Sequence, residues 1–384
     1  MIFVPKPSYT AKNVKADLSG NYINRSQAKT TFMLNRRLII VAAITVAVLL
    51  SVFAVMSSTA HPKIIELSFD NQSPGHNADE LTLRSIRKVG DFYTVDCRGD
   101  YEERLQWLND YHLKKAAELS APSTCSLFAT RTASGGLLLG RNLDRRDIPV
   151  LAKFAVAGKY ASFAFSPSIE VHLRDVLDVA QPTETQKNNF LFSLPFYPTD
   201  GINEKGLAIG IAGVPARRVK HSQTRQPMFV LLFIRRVLDN CQNVEEVARF
   251  AETVSLYDRA FDTISHHFLV TDAGRNSLVI DYPDGSLRLT RGQGDPLVRT
   301  NHFIEGGPSI ADNRTSFSRY DKLYEALNSP KLLASDSEAM VLLKRVCDNT
   351  AWSVVYESRA RRGLLAVREN YRTQYRFGFP QVKE

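Results

Sequence analysis

The 384-residue chain is poor in cysteine, with four, and holds only two tryptophans and five methionines. Cys97, Cys125, Cys241 and Cys347 are too few for a disulfide scaffold, and no two of them stand in C-x-x-C spacing. If Cys125 is kept as a free thiol, three remain and at most one internal bridge can form. The eight histidines include no H-E-x-x-H pair, so a zinc site has little support and no metal is expected. The glycines at 206, 210 and 213 do not make G-x-G-x-x-G, which leaves little room for a dinucleotide, and no cofactor is expected. Low-complexity segments are absent, and 44% apolar with 23% charged residues is the composition of a globular protein.

A basic stripe is also missing, despite a net charge of +9. Residues 1–37 carry Lys6, Lys12, Lys15, Arg25, Lys29, Arg36 and Arg37 against Asp17, a net +6, which leaves +3 for everything beyond. Nucleic acid is therefore not an expected partner. The uncharged run 38–56 has nineteen residues, enough to cross a hydrocarbon core of about 30 Å as a helix. Positive charge before it keeps that end in the cytoplasm and sends the remainder across. The reading is a basic tail (1–37), a transmembrane signal-anchor (38–56), a linker and pro-segment (57–124) and a catalytic domain (125–384). This makes a single-pass type II membrane protein with its globular part outside the cytoplasm. Ser58-Thr-Ala60 also fits a signal-peptidase site, so secretion after cleavage at Ala60 is the alternative.

The stretch around which the chain is organised is Cys125-Ser-Leu-Phe-Ala-Thr, a turn at 134–136, and Gly140-Arg-Asn-Leu-Asp144. It reads as a β-hairpin that returns Arg141 and Asp144 towards the cysteine, sixteen and nineteen residues after it. A thiol attacks as thiolate and needs a base or a positive charge nearby. Taken alone, a cysteine opening an apolar strand is usually a packed core residue, and Arg and Asp three apart are usually a solvated pair. The small-residue stretch Ser120-Ala-Pro-Ser-Thr124 precedes Cys125 directly. Cleavage at Thr124–Cys125 would give the cysteine an α-amino group of pKa near ~8 as its own base. Nothing around Cys125 matches the papain-type C-G-[SA]-C-[WY] signature, which argues against a Cys–His protease using His266, His267 or His302.

Other segments read as follows. Residues 101–119 show partial helical spacing and 91–97 a strand, while 150–165 suggest two strands and 167–190 an irregular substrate-side loop. Asp200-Gly-Ile-Asn-Glu-Lys-Gly-Leu207 is a tight turn leading into an apolar strand. Residues 228–241 are helical, and Asn243 with Glu246 three residues on signals the start of another helix. Three strands between 267 and 290 form an antiparallel meander leading to Thr300-Asn301. A helix follows at 316–327 with Phe317, Tyr320, Tyr324 and Leu327 on its apolar side, then a helix near 337–346 and three closing strands. This is an α/β (α+β) chain with mainly antiparallel sheets.

Cys125 with Arg141 and Asp144, the block from Asp200 to Leu207, and Thr300-Asn301 together resemble the choloylglycine hydrolase, penicillin V acylase and linear amide C–N hydrolase family of N-terminal-nucleophile (Ntn) hydrolases. The resemblance runs from about Asp91 to the end. It implies a four-layer αββα sandwich, autocatalytic cleavage at Thr124–Cys125 and hydrolysis of a linear amide by the released Cys125. By the same resemblance Arg141 supplies positive charge at the thiol, Asp144 holds the α-amino group, Asn301 donates to the tetrahedral intermediate and Arg319 is a second active-site arginine. The sequence departs from the family near the end of the 207–214 strand, where Gly213 stands in place of an Asn or Tyr. A main-chain N–H of Gly213 or Val214 is the expected oxyanion donor there. The implied partner is a small N-acyl amide; oligomeric state is left open. An acyltransferase using the same acyl-enzyme and an inactive membrane-anchored interaction domain are the alternatives.

Overall fold

A computed structural model of the chain describes residues 62–69, 77–114, 124–219, 222, 224–258, 262–292, 296–304, 314–329 and 333–380. The apolar run 38–56 and the stretch 115–123 lie outside the described residues. Among the described residues no helix is long and apolar enough to cross a membrane.

The chain opens with β1 (Lys63–Glu66), α1 (Ala78–Arg84), β2 (Arg87–Val89), β3 (Phe92–Cys97) and α2 (Glu102–Lys114). The hairpin β4 (Thr124–Arg131) and β5 (Leu137–Asp144) follows, then β6 (Pro149–Phe154) and β7 (Ser162–Pro167). The stretch read as an irregular loop instead holds two helices, α3 (Leu173–Leu177) and α4 (Glu184–Ser193). The start signal of α4 was present in the sequence: Thr183 and Gln186 form a reciprocal capping box. Next come β8 (Asp200–Asn203), β9 (Ala208–Arg218), β10 (Gln226–Phe229), α5 (Val230–Asn240) and α6 (Val244–Thr253). Asn243 caps α6 by accepting from Glu246 N at 3.0 Å. β11 (Val254–Tyr257), β12 (Thr263–Thr271), β13 (Ser277–Asp281), β14 (Arg288–Gly292) and β15 (Leu297–Arg299) lead to α7 (Arg314–Leu327) and α8 (Asp336–Arg345). β16 (Thr350–Glu357), β17 (Arg362–Val367) and β18 (Thr373–Gly378) close the chain.

Two large sheets result. One has seven strands in the order β1-β18-β17-β16-β5-β4-β15, the other nine in the order β14-β13-β12-β9-β8-β7-β6-β3-β2. Pairings are antiparallel except β1 with β18, β3 with β6, and the separate β10–β11 pair. The sheets face each other, with β4 and β5 over β9 and β12, around a core that includes Cys125, Leu127, Leu139, Ile202 and Leu269. Helices α7 and α8 cover the seven-stranded sheet through Leu323, Leu327, Met340 and Leu343, and α5 and α6 cover the other through Phe233, Val237 and Val247. Strand alternation therefore gives each central strand one face towards the opposite sheet and one towards helices.

Residues 62–69 and 77–114 are built into this body. β1 extends the edge of one sheet and β2–β3 the edge of the other, so the compact unit begins at Pro62 rather than at Cys125. Leu105 and Leu108 of α2 are buried, Tyr101 Oη donates to Asp239 at 2.6 Å, and His112 meets Tyr197 Oη at 2.7 Å.

Two glycines, one in the Asp200 block and one in the strand after it, are dictated by geometry. Gly206 has φ +82° and a Cβ there would lie 2.2 Å from the Ser358 carbonyl oxygen. Gly210 lies opposite the hairpin, where a Cβ would meet Leu127 at 2.8 Å and the Arg141 side chain at 3.2 Å. The turn thus needs one glycine and the close approach of the two sheets needs the other.

Candidate functional site

Cys125 is the second residue of β4, on the face turned to the opposite sheet, and is 1% exposed. Leu127 pairs with Arg141 across the hairpin, so the arginine also points between the sheets. Its Nη2 lies 3.9 Å from Cys125 Sγ. The rest of the guanidinium is tied down: Nε donates to Ile211 O at 3.1 Å, and Nη1 donates to Thr199 Oγ1 at 3.3 Å and forms an ion pair with Asp200.

Asp200 is fully buried and gathers further donors, from Tyr356 Oη at 2.5 Å and Trp352 Nε1 at 3.3 Å. Burial pushes its carboxyl up, while Arg141, Tyr356, Trp352 and Thr199 all act in the opposite sense. The sequence places Asp200 at the head of the turn block that carries the resemblance, but gives its carboxylate no role.

The main chain of Cys125 is held as closely as its sulfur. Its N–H donates to Asn301 Oδ1 at 2.9 Å, across 176 residues of sequence. Arg319 donates to the Cys125 carbonyl, to Ser126 Oγ at 2.8 Å and to Asn301 Oδ1 at 2.7 Å. Arg319 is 4% exposed because the buried stripe of α7 runs through Ser316, Arg319, Leu323 and Leu327, one position round from the expected one. Tyr324, expected inside, is 47% exposed. Asn301 Nδ2 donates to Gly213 O at 2.8 Å, and its own N–H is held by Ser316 Oγ at 2.7 Å. Gly213 and Val214 thus lie beside the Asn301 side chain.

Asp144 is placed differently from Arg141. Three residues apart on a strand means opposite faces, and Asp144 points to the helix side, where its Oδ1 accepts from Thr350 Oγ1 at 2.5 Å. Its Oδ2 lies 3.8 Å from Arg319 Nη1. The carboxylate therefore reaches the cysteine through Arg319, and Thr124 Oγ1 donates to its main-chain oxygen at 3.1 Å. Two of the three candidate imidazoles are occupied elsewhere: His266 by Asp258 at 2.9 Å, His302 by Ser316 at 2.8 Å and by the Phe317 ring at 4.1 Å. His267 is fully buried, which depresses its protonation well below the usual imidazole range. None of the four cysteines is in a disulfide.

Burial pushes the Asp144 carboxyl up to about 7, against the opposing pull of Thr350 and Arg319. An unfolded aspartate titrates near about 4. Between these values the folded chain holds the proton and the unfolded chain does not, so stability falls as pH rises from about 4 to about 7. Asp144→Asn is expected to flatten that part of the pH dependence in urea-unfolding midpoints. An unaltered slope would mean the carboxyl titrates as in the unfolded chain.

Residues 191–359 match the family model described as acyl-coenzyme A:6-aminopenicillanic acid acyl-transferase. That span includes Asp200, Gly213, Val214, Asn301 and Arg319 and stops short of Cys125, Arg141 and Asp144. No curated protein matches the chain. Among solved structures, penicillin V acylase from Agrobacterium tumefaciens is similar at 16% identity and TM-score 0.43, over 63% of this chain and 83% of that one. A mutant conjugated bile acid hydrolase from Clostridium perfringens is similar at 16% and 0.45, over 66% and 92%. The Caenorhabditis elegans ortholog of N-acylethanolamine-hydrolyzing acid amidase is similar at 17% and 0.41, over 67% and 100%.

Proposed function

We propose that the chain is an N-terminal-nucleophile hydrolase of the group that contains the choloylglycine hydrolases, a reading supported by the family match over residues 191–359, and that it hydrolyses a linear amide with Cys125 as nucleophile. The carrying observation is the treatment of Cys125, whose nitrogen is held by Asn301 while Arg141 lies against its sulfur. An ordinary core cysteine needs only packing. A residue that must present both its thiol and its nitrogen to a reaction needs both atoms fixed. The order helix, sheet, sheet, helix supports the αββα sandwich of this superfamily.

In the proposed first step Cys125 Sγ attacks the Thr124 carbonyl carbon. The S–C bond forms, the C–N bond breaks and the nitrogen takes the thiol proton. Water then cleaves the thioester, leaving the Thr124 carboxylate and a free Cys125 amine and thiol. In turnover that α-amino group accepts the thiol proton, and the thiolate attacks the substrate carbonyl. Asn301 Nδ2 and an N–H of Gly213 or Val214 are the proposed oxyanion donors; Nδ2 sits 2.8 Å from Gly213 O, which keeps the amide beside that strand. Each such donor contributes about 10²–10³ in rate in comparable sites. The amine departs with the proton and water releases the acid. Arg319 orients the Cys125 main chain and links it to Asp144.

N-terminal sequencing and intact mass of the purified protein test this. A chain beginning Cys-Ser-Leu-Phe-Ala is expected, and an uncut Thr124–Cys125 bond in protein that turns over amides would sink the mechanism. The segment before the cut is expected to stay bound, because it supplies strands to both sheets. Two chains should co-elute in size-exclusion chromatography and separate only in denaturant. The family description also favours a second reading, in which an amine or thiol takes the acyl group instead of water. Product analysis with an added acceptor amine separates the two. The run 38–56 is proposed as the membrane anchor of the exported domain; release of the full chain by alkaline carbonate would exclude it.

A further inference from the structure

The end of β5 opens on a cavity of about 380 Å³ at the side of Asp144, lined among others by Arg145, Arg146, Arg174, Arg368, Thr350 and Glu369. A second cavity of about 550 Å³ adjoins it and shares Arg145, Arg146 and Arg174. Thr350, in the wall of the first, is the residue that hydrogen-bonds Asp144, and Arg145 is next to Asp144 in sequence. The cavity therefore borders the strand ends where Thr124 pairs with Asp144.

The acidic groups of the 380 Å³ cavity are engaged. Asp147 is paired with Arg145 at 2.6 Å and accepts from Ser168 N, Ser168 Oγ and Ile148 N. Glu369 accepts from Thr350 N at 2.9 Å. In the adjoining cavity Asp175 lies 3.6 Å from His172. Arg368 has a long exposed contact with Asp91 at 3.8 Å. Arg146 and Arg174 have no ion-pair partner among the described residues, so the walls carry surplus positive charge on planar groups suited to bidentate oxyanions. Backbone strain is concentrated here too. Among the described residues six other than glycine have positive φ, and four of them, His172, Asn349, Arg368 and Glu369, line these two cavities. Such conformations persist where the surroundings enforce them, often at ligand sites.

We propose that this arginine-lined cavity is an oxyanion subsite, taking a carboxylate or phosphate carried by the amide substrate of Cys125. The proposal deepens the amidase reading and rests on it. It is tested on purified wild-type protein by calorimetric titration of N-acetylglycine and of inorganic phosphate, each exchanged for chloride at constant ionic strength. Saturable binding of one of them is expected, the tighter one assigning carboxylate or phosphate, and that anion should inhibit amide turnover competitively. The exposed pair R146M/R174M should bind it at least about tenfold more weakly, the loss of two charge-assisted contacts. R225M, in a different cavity, should bind it as wild type does. Equal affinity in wild type and the double variant, an equal loss in R225M, absence of binding, or binding without competition would each overturn the subsite. A failure of the amidase reading would appear separately, as no Cys125-dependent turnover of any amide, with the titration still deciding whether the arginines bind an anion.

Discussion

Cys125→Ala is expected to leave one uncut chain that turns over no amide. The proposed cleavage and the proposed turnover use the same sulfur, so both should disappear together. Stability should change little in comparison. The side chain is small and buried between sheets, and losing its sulfur removes one contact with Arg141 and some packing, about 1 kcal/mol on the scale of core truncations. The measurement is gel mobility in denaturant beside an amide-release assay. Cys125→Ser sharpens it, because a hydroxyl keeps the geometry but is a far weaker nucleophile near neutral pH, and it should be cut slowly, if at all. Retained amide release in the alanine chain would remove Cys125 from the chemistry and leave the fold as a scaffold. Loss of turnover with cleavage intact would assign the cut to another protease.

How much of this was readable depended on how local each cause was. The hairpin, the Asn243 cap and the Gly206 turn follow from neighbouring residues, and the sequence displays them. The opposite facing of Arg141 and Asp144 was also readable, since an odd separation on a strand reverses the side, although the hairpin alone suggests that both return to the cysteine. Arg319 was not readable from pattern alone. An arginine on an amphipathic helix is normally solvated, and only its capture by the Cys125 carbonyl, Ser126 and Asn301 brings it inside. The contribution of β1, β2 and β3 to the two sheets was hidden for a related reason. β1 pairs with a strand some three hundred residues later, Lys63 against Thr373, and no short-range signal encodes that partner.

Asp200 was the largest omission, and it yields the second strong expectation. Asp200→Asn should lower kcat/KM by about 10² or more and destabilise the fold by roughly 3–5 kcal/mol, the cost of leaving one member of a buried ion pair unmatched. Arg141 is 0% exposed, so its charge has no water to turn to. With Asn at 200, only one of Tyr356 and Trp352 keeps its acceptor, because they donate to different oxygens, Oδ1 and Oδ2, and the guanidinium loses the anion that holds it against the sulfur. A fall in activity alone would not separate positioning from damage. The double variant Arg141→Met/Asp200→Asn does, because it removes both charges and leaves a side chain of similar reach in the inter-sheet layer. Its urea midpoint should recover part of the loss, since no unmatched charge is left buried, while its turnover stays low because no cation remains at Sγ. Recovery of turnover along with stability would mean that Arg141 and Asp200 serve the fold only, and that the thiolate is stabilised from the Arg319 side.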